Sequence, residues 1–255
     1  MNHDPYAAPD MPPTEGRQGP AEGEPQPWEI GEVMSLAWER FQAHWPVLAF
    51  TYLPMNGVLF ALGHVGDILV WRHVVRANSP PSMAIDLASV LAALVAGAFF
   101  QVGFLRIVLD VARDQPVRFW TLFSGGSQMW TMLASNVLVG LATFAGVLLL
   151  IVPGIIIALG MALAPYYVVD AGLGPVQAMK ASWAATDGHR GDILVLFLTG
   201  IGLTLLGLLM LVLGLAATGP TFALAQAIVF TRMSGRGAVV RYESLAPPAG
   251  WPLIP

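Results

Sequence analysis

The 255-residue chain has no cysteine, which excludes disulfide frameworks, thiolate metal sites and cysteine nucleophiles. Charge is scarce: Asp, Glu, Lys and Arg together make up 11% of the residues, where a soluble domain carries about 25%. An ordinary cytosolic enzyme does not have this composition. Basic residues are in the minority, 12 against 16 acidic ones, and the pI near 5.7 argues against nucleic acid as a partner. Familiar catalytic signatures are missing too, with no H-E-x-x-H, no G-x-S-x-G and no Walker A loop. Ser124-Gly125-Gly126-Ser127 lacks the lysine and strand of a phosphate loop and reads as a hinge. Neither a catalytic residue nor a cofactor or metal site is expected.

What the chain has instead is apolar surface: 56% hydrophobic residues and a mean hydropathy of +0.66. Residues 46–71 and 83–109 are each long enough to cross a hydrocarbon core, which takes about 20 residues. Two further runs, 132–169 and 193–230, would each form a helix about 57 Å long at 1.5 Å per residue, roughly twice the core thickness. Each run must fold back. Pro153-Gly154 offers a break in the first, and Gly214 through Gly219-Pro220 in the second. The expected fold is therefore all-α, a polytopic bundle of six transmembrane helices in three hairpins. A β-barrel would need alternating apolar and polar residues, and runs such as 147–157 do not alternate.

Cutting the chain after Pro27 localises its charge. The first 27 residues hold five acids against Arg17, a balance of 1 − 5 = −4, and the remaining 11 basic and 11 acidic groups cancel. With seven prolines and no apolar run, residues 1–27 read as a disordered acidic tail rather than a signal peptide. Residues 28–233 form the membrane domain, and 234–255 a short C-terminal tail. Six crossings put nine basic residues (Arg40, Arg106, Arg113, Arg118, Lys180, Arg190, Arg232, Arg236 and Arg241) on one side and only Arg72 and Arg76 on the other. The positive-inside rule then places both termini in the cytoplasm of a bacterial inner membrane. Three amphipathic segments, near 28–45, 114–125 and 174–187, fall on that same side. They carry Trp38, Trp45, Trp120 and Trp183, as interfacial helices do.

Ionisable and polar groups within the spans are the places to look for chemistry. Arg106 and Asp110, four apart at the end of span two, form a candidate ion pair. His64 and Asp67, three apart near Arg72, mark the other end of span one and read as a solvated helix end. Asn56, Gln101, Asn136 and Gln226 are mid-span. They hydrogen-bond between helices or, if they converge, line a polar path.

The stretch Ile151-Val152-Pro153-Gly154, followed by Pro165 to Asp170, Gly172, Pro175 and Ser182-Trp183, resembles a bacterial membrane family. It is similar to the membrane domain fused to some glycerophosphoryl diester phosphodiesterases and to related stand-alone multi-span proteins. The likeness is sharpest over 150–192. It implies a six-span inner-membrane bundle with an interfacial helix after the Asp-x-Gly element. It does not imply phosphodiesterase activity, which belongs to a separate barrel of about 250 residues. The motif residues Pro153, Gly154, Asp170, Gly172, Ser182 and Trp183 read as topology punctuation. The chain is accordingly expected to be a non-enzymatic scaffold or accessory in lipid or envelope homeostasis, with the bilayer and other membrane proteins or lipids as partners. A small transporter or lipid-moving protein is the alternative.

Overall fold

A computed structural model describes residues 26–72, 79–209 and 211–235. The acidic tail up to residue 25, the 73–78 part of the first loop and the C-terminal tail from 236 lie outside the described residues. All described regular structure is helical, as expected: α1 (Ile30–Gly63), α2 (Val65–Trp71), α3 (Pro80–Ala112), a 3₁₀ segment (Phe119–Ser127), α4 (Met129–Leu149), α5 (Ile151–Gly160), α6 (Ala164–Ala171), α7 (Pro175–Ala185), α8 (Arg190–Leu209) and α9 (Leu211–Met233). Among the described residues five segments are long and apolar enough to cross a membrane: 30–63, 80–112, 129–149, 151–171 and 190–209. α9 spans 23 residues, about 34 Å at 1.5 Å per residue.

Each boundary has a local cause. α1 is bent at His44, whose backbone leaves the helical region (φ −121°, ψ 17°), immediately before Trp45-Pro46. The bend separates the amphipathic stretch 30–44 from the apolar remainder. α3 starts on a capping box, with Ser79 and Ser82 bonding reciprocally and proline in the first turn. It ends where Asp114 takes a left-handed conformation (φ 53°). Asp114-Gln115-Pro116 therefore closes α3, and the amphipathic element after it begins later, as 3₁₀ rather than α-helix.

Both hairpin turns differ from the sequence expectation. The first break is at Leu150, which is fully extended (φ −167°, ψ 149°), and Pro153 and Gly154 lie inside the first turn of α5. Proline is tolerated there because the first helical N–H groups have no intrahelical acceptor. Gly154 instead lets two helices approach, since a Cβ on it would stand 2.7 Å from the Val147 nitrogen. In the second run Gly214 through Pro220 are helical within α9, so the chain folds back before them. Gly214 lies against Gly207 of α8, where an added Cβ would come 2.1 Å from the Gly207 carbonyl oxygen. The glycines serve packing; the turns lie elsewhere.

Burial follows the direction of the chain. Buried core residues come from the beginning of α1 (Val33, Ala37, Phe41), the end of α3 (Ile107, Val108), the beginning of α4 (Met132), α6 (Tyr166, Val168), the beginning of α8 (Ile193, Leu196) and the end of α9 (Leu224, Phe230). The other ends carry exposed apolar side chains, including Phe60, Trp71, Leu87, Leu148, Leu149 and Leu209. One end of the bundle is a packed core, and the opposite end shows apolar surface.

Candidate functional site

The charged and polar side chains gather at the packed end, where they join helices. Arg113 of α3 bonds Asp170 of α6 at 2.5 Å, with both side chains only 11% exposed. Arg40 of α1 donates to the Val111 carbonyl at 2.7 Å and to Asp114 at 2.6 Å, tying the first helix to the end of α3. Arg232 of α9 grips both oxygens of Glu32, at 2.9 and 2.6 Å, in the stretch of α1 before the bend. That guanidinium holds the Glu32 carboxyl below the usual carboxylate range. Paired, hydrogen-bonded charges of this kind fix relative helix positions more than they add net stability.

The sharpest local arrangement surrounds the family-like motif. The fourth membrane-length segment, 151–171, is two helices, α5 and α6, separated by a turn at Met161–Leu163. Of the apolar windows it is the most enclosed, 44% buried against 11 to 22% for the others. A helix interrupted inside an apolar bundle frees backbone groups that must find partners. α7 supplies them. Ser182 Oγ donates to the Gly160 carbonyl at 2.8 Å and accepts the Leu163 N–H at 3.1 Å. Thr186 Oγ1 shares its one proton between the same carbonyl and that of Trp183, each at 3.2 Å.

Ala178, Ser182 and Thr186 are fully buried and spaced four apart, so they form the protein-facing stripe of α7. Apolar spacing in this segment reads as a face of Val176, Met179 and Trp183, of which Val176 and Trp183 are exposed while Met179 packs against the core. The Trp183 ring covers Gly160, where a Cβ would meet Cε3 at 2.5 Å, and Arg190 stacks over the same ring at 4.1 Å. Gly172, left-handed at φ 64°, caps α6 and turns the chain into α7.

The mid-span polar residues fall into three separate contacts. Asn136 donates to Gln101 at 2.7 Å, joining α4 to α3. Gln226 accepts from the buried Tyr166 hydroxyl at 3.2 Å, and that hydroxyl also bonds the Ala223 carbonyl. Asn56 is exposed and returns its amide to the Tyr52 carbonyl of its own helix. Tyr166 carried no polar signal in an apolar run, and only its partner Gln226 hinted at a bond there. Arg106 sends both terminal nitrogens to the 3₁₀ segment and beyond: to the Ser124 carbonyl and hydroxyl at 2.7 Å, and to Gln128 at 2.9 Å. The Asp110 carbonyl accepts the Arg113 and Gln115 N–H groups at the end of α3. At the other end of the bundle His64 bonds the Phe60 carbonyl through Nδ1 at 2.9 Å and stacks on Phe60. Among the described residues no three His, Asp or Glu side chains are placed to hold a metal ion.

The chain is similar to "Uncharacterized protein Rv2560" of Mycobacterium tuberculosis and "Uncharacterized protein Mb2590" of Mycobacterium bovis. Each is 25% identical over 244 residues, covering 88% of this chain and 74% of the relative. The similarity therefore extends well beyond the 150–192 motif. No family model matches the chain, and no solved structure does. The chain is a multi-pass helical membrane protein.

Proposed function

We propose that the chain forms six spans in three hairpins, with both termini in the cytoplasm of a bacterial inner membrane. In this reading it is a non-enzymatic scaffold or accessory in lipid or envelope homeostasis, built like the membrane domain of glycerophosphoryl diester phosphodiesterases. One observation carries the proposal: among the described residues, the ion pairs that join separate elements lie at a single end. Arg113–Asp170, Arg40–Asp114, Arg232–Glu32 and the Ser182 clamp all join elements there. The alternation of burial from α1 to α9 supports six antiparallel crossings, and α9 has the length for the sixth. The positive-inside rule orients the packed, arginine-rich end to the cytoplasm.

The topology is tested with paired reporters at the C-terminus, one active only in the cytoplasm and one only outside it. Cytoplasmic activity is expected; external activity refutes the orientation. Scaffolding is tested by affinity purification of the intact chain in mild detergent, where stoichiometric recovery of a membrane partner is expected. Lipid movement is the second reading, favoured by the interrupted fourth crossing, a device transporters use. Proteoliposomes that scramble a labelled phospholipid while no partner is recovered would replace the first reading with the second.

A further inference from the structure

A groove of about 620 Å³ runs between α1, α3 and α4, lined by Leu62, Leu91, Val95, Phe99, Phe100 and Met129. Its volume is that of a small-molecule site, which runs from about 300 to 1,000 Å³, yet its walls are almost wholly apolar. Leu91 is 54% exposed, so the groove opens on the side of a membrane-length helix. The 3₁₀ segment packs against the backbone of one lining residue: a Cβ on Gly125 would stand 2.0 Å from the Phe99 carbonyl oxygen.

A path of aromatic rings leads out of the groove toward the interface. Phe99 packs on Phe100 at 5.4 Å, Phe100 on Phe123 at 6.2 Å, and Phe123 on Trp120 at 6.1 Å. Trp120 is 76% exposed, and exposed tryptophan marks headgroup depth. Arg106 is seven residues beyond Phe99, two turns along the same face of α3, and its guanidinium is held by Ser124 and Ser127 of the 3₁₀ segment that carries Trp120 and by Gln128 just after it. An apolar groove with an arginine and serine hydroxyls beyond its aromatic end matches one class of membrane molecule in both halves.

We propose that this groove binds one acyl chain of an anionic glycerophospholipid, with the lipid phosphate accepting from the Ser127 hydroxyl and, in exchange for Gln128, from Arg106. The inference deepens the membrane reading. It uses the spanning arrangement but neither the orientation nor the scaffold role, so its failure leaves both standing.

The test uses the full chain in mild detergent, offered equal amounts of phosphatidylglycerol and phosphatidylcholine with identical acyl chains and read by native mass spectrometry. The expected result is a single retained phosphatidylglycerol, preferred by about tenfold, the scale of one charge-assisted contact. Arg106→Gln should bring the two lipids to parity. Arg106→Lys, which preserves the charge and serves as the check if the glutamine variant fails to fold, should keep a reduced preference. Ala96 also lines the groove, and Ala96→Phe, which fills it and leaves Arg106 in place, should remove both adducts. Equal retention of the two lipids by the unaltered chain, or a phosphatidylglycerol adduct that survives Ala96→Phe, overturns the proposal.

Discussion

Ser182→Ala removes a single oxygen that serves two backbone groups, and the consequences of losing them are unequal. The Leu163 N–H gives its bond to Ser182, so the variant strands a buried donor. The Gly160 carbonyl loses Ser182 but keeps Thr186 at 3.2 Å. Stranding one buried backbone group costs about 1–3 kcal/mol. Interhelical hydrogen bonds measured in membranes fall lower, about 0.6 and at most about 1.7 kcal/mol. A loss of about 1–2 kcal/mol is therefore expected for Ser182→Ala. Thr186→Val leaves the carbonyl bonded to Ser182 and should cost less than about 0.5 kcal/mol. The double variant deprives the carbonyl of both donors, so its loss should exceed the sum of the singles by about 1 kcal/mol. Unfolding by SDS titration in mixed micelles measures all three, and hydrogen exchange at the Leu163 amide should accelerate only where Ser182 is replaced. Strict additivity, or equal losses for the two single variants, would refute the clamp.

The glycines divide into two groups that a stability measurement separates. Gly200 lies against the Phe222 ring, with a Cβ placed 2.3 Å from Cε2, whereas Gly140 and Gly202 have nothing within 4 Å. Gly200→Ala should therefore destabilise the bundle by about 1–3 kcal/mol, while Gly140→Ala and Gly202→Ala should be neutral or stabilising by up to about 1 kcal/mol. The Glu32–Arg232 pair predicts an acid-sensitive joint. The Glu32 carboxyl is held below its unfolded value, so the contribution of the pair is present above about pH 4.3 and is lost as pH falls through the lowered folded value. Spin labels at Glu29 and Ser234 should move apart over that acid range, and Glu32→Gln should abolish the pH dependence.

Hydropathy and run length made the membrane-spanning helices legible, because only continuous apolar segments satisfy a backbone in lipid. The turns were misplaced for a definite reason. Glycine and proline were read as breakers, yet Gly214 serves a close helix approach and Pro153 sits in a first turn that has spare N–H groups. The interruption between α5 and α6 left little trace, since Met161-Ala162-Leu163 is unremarkable helix-forming sequence. Its signal was displaced onto Ser182 and Thr186, about 20 residues away. The same displacement holds for Arg113 and Asp170, which are 57 residues apart and each unexceptional alone. For α7, apolarity pointed to Val176, Met179 and Trp183, but the small residues Ala178, Ser182 and Thr186 mark the buried stripe. In an apolar protein, smallness is the better guide to contact.

The arginines at the packed end have two physical roles that ordinary deletion confounds. The positive-inside rule counts charge within reach of the spans and is indifferent to geometry. The joints depend on geometry: Arg40 reaches a carbonyl and a carboxylate at once, and Arg113 meets Asp170 where both are nearly buried. Lysine carries the same charge on a flexible stem without the planar fork. Replacing Arg40 and Arg113 together by lysine therefore preserves the charge asymmetry while removing the forked contacts. The C-terminal reporter should be unchanged, and stability should fall by about 1–3 kcal/mol, the sum of two weakened charge-assisted contacts. Arg118 and Lys180 have no ion-pair partner among the described residues, so exchanging Arg118 for lysine should move neither quantity. If the double lysine variant unfolds at the same SDS fraction as the unaltered chain, the arginines act as charge alone. The packed end would then be held by its apolar core and the Ser182 clamp.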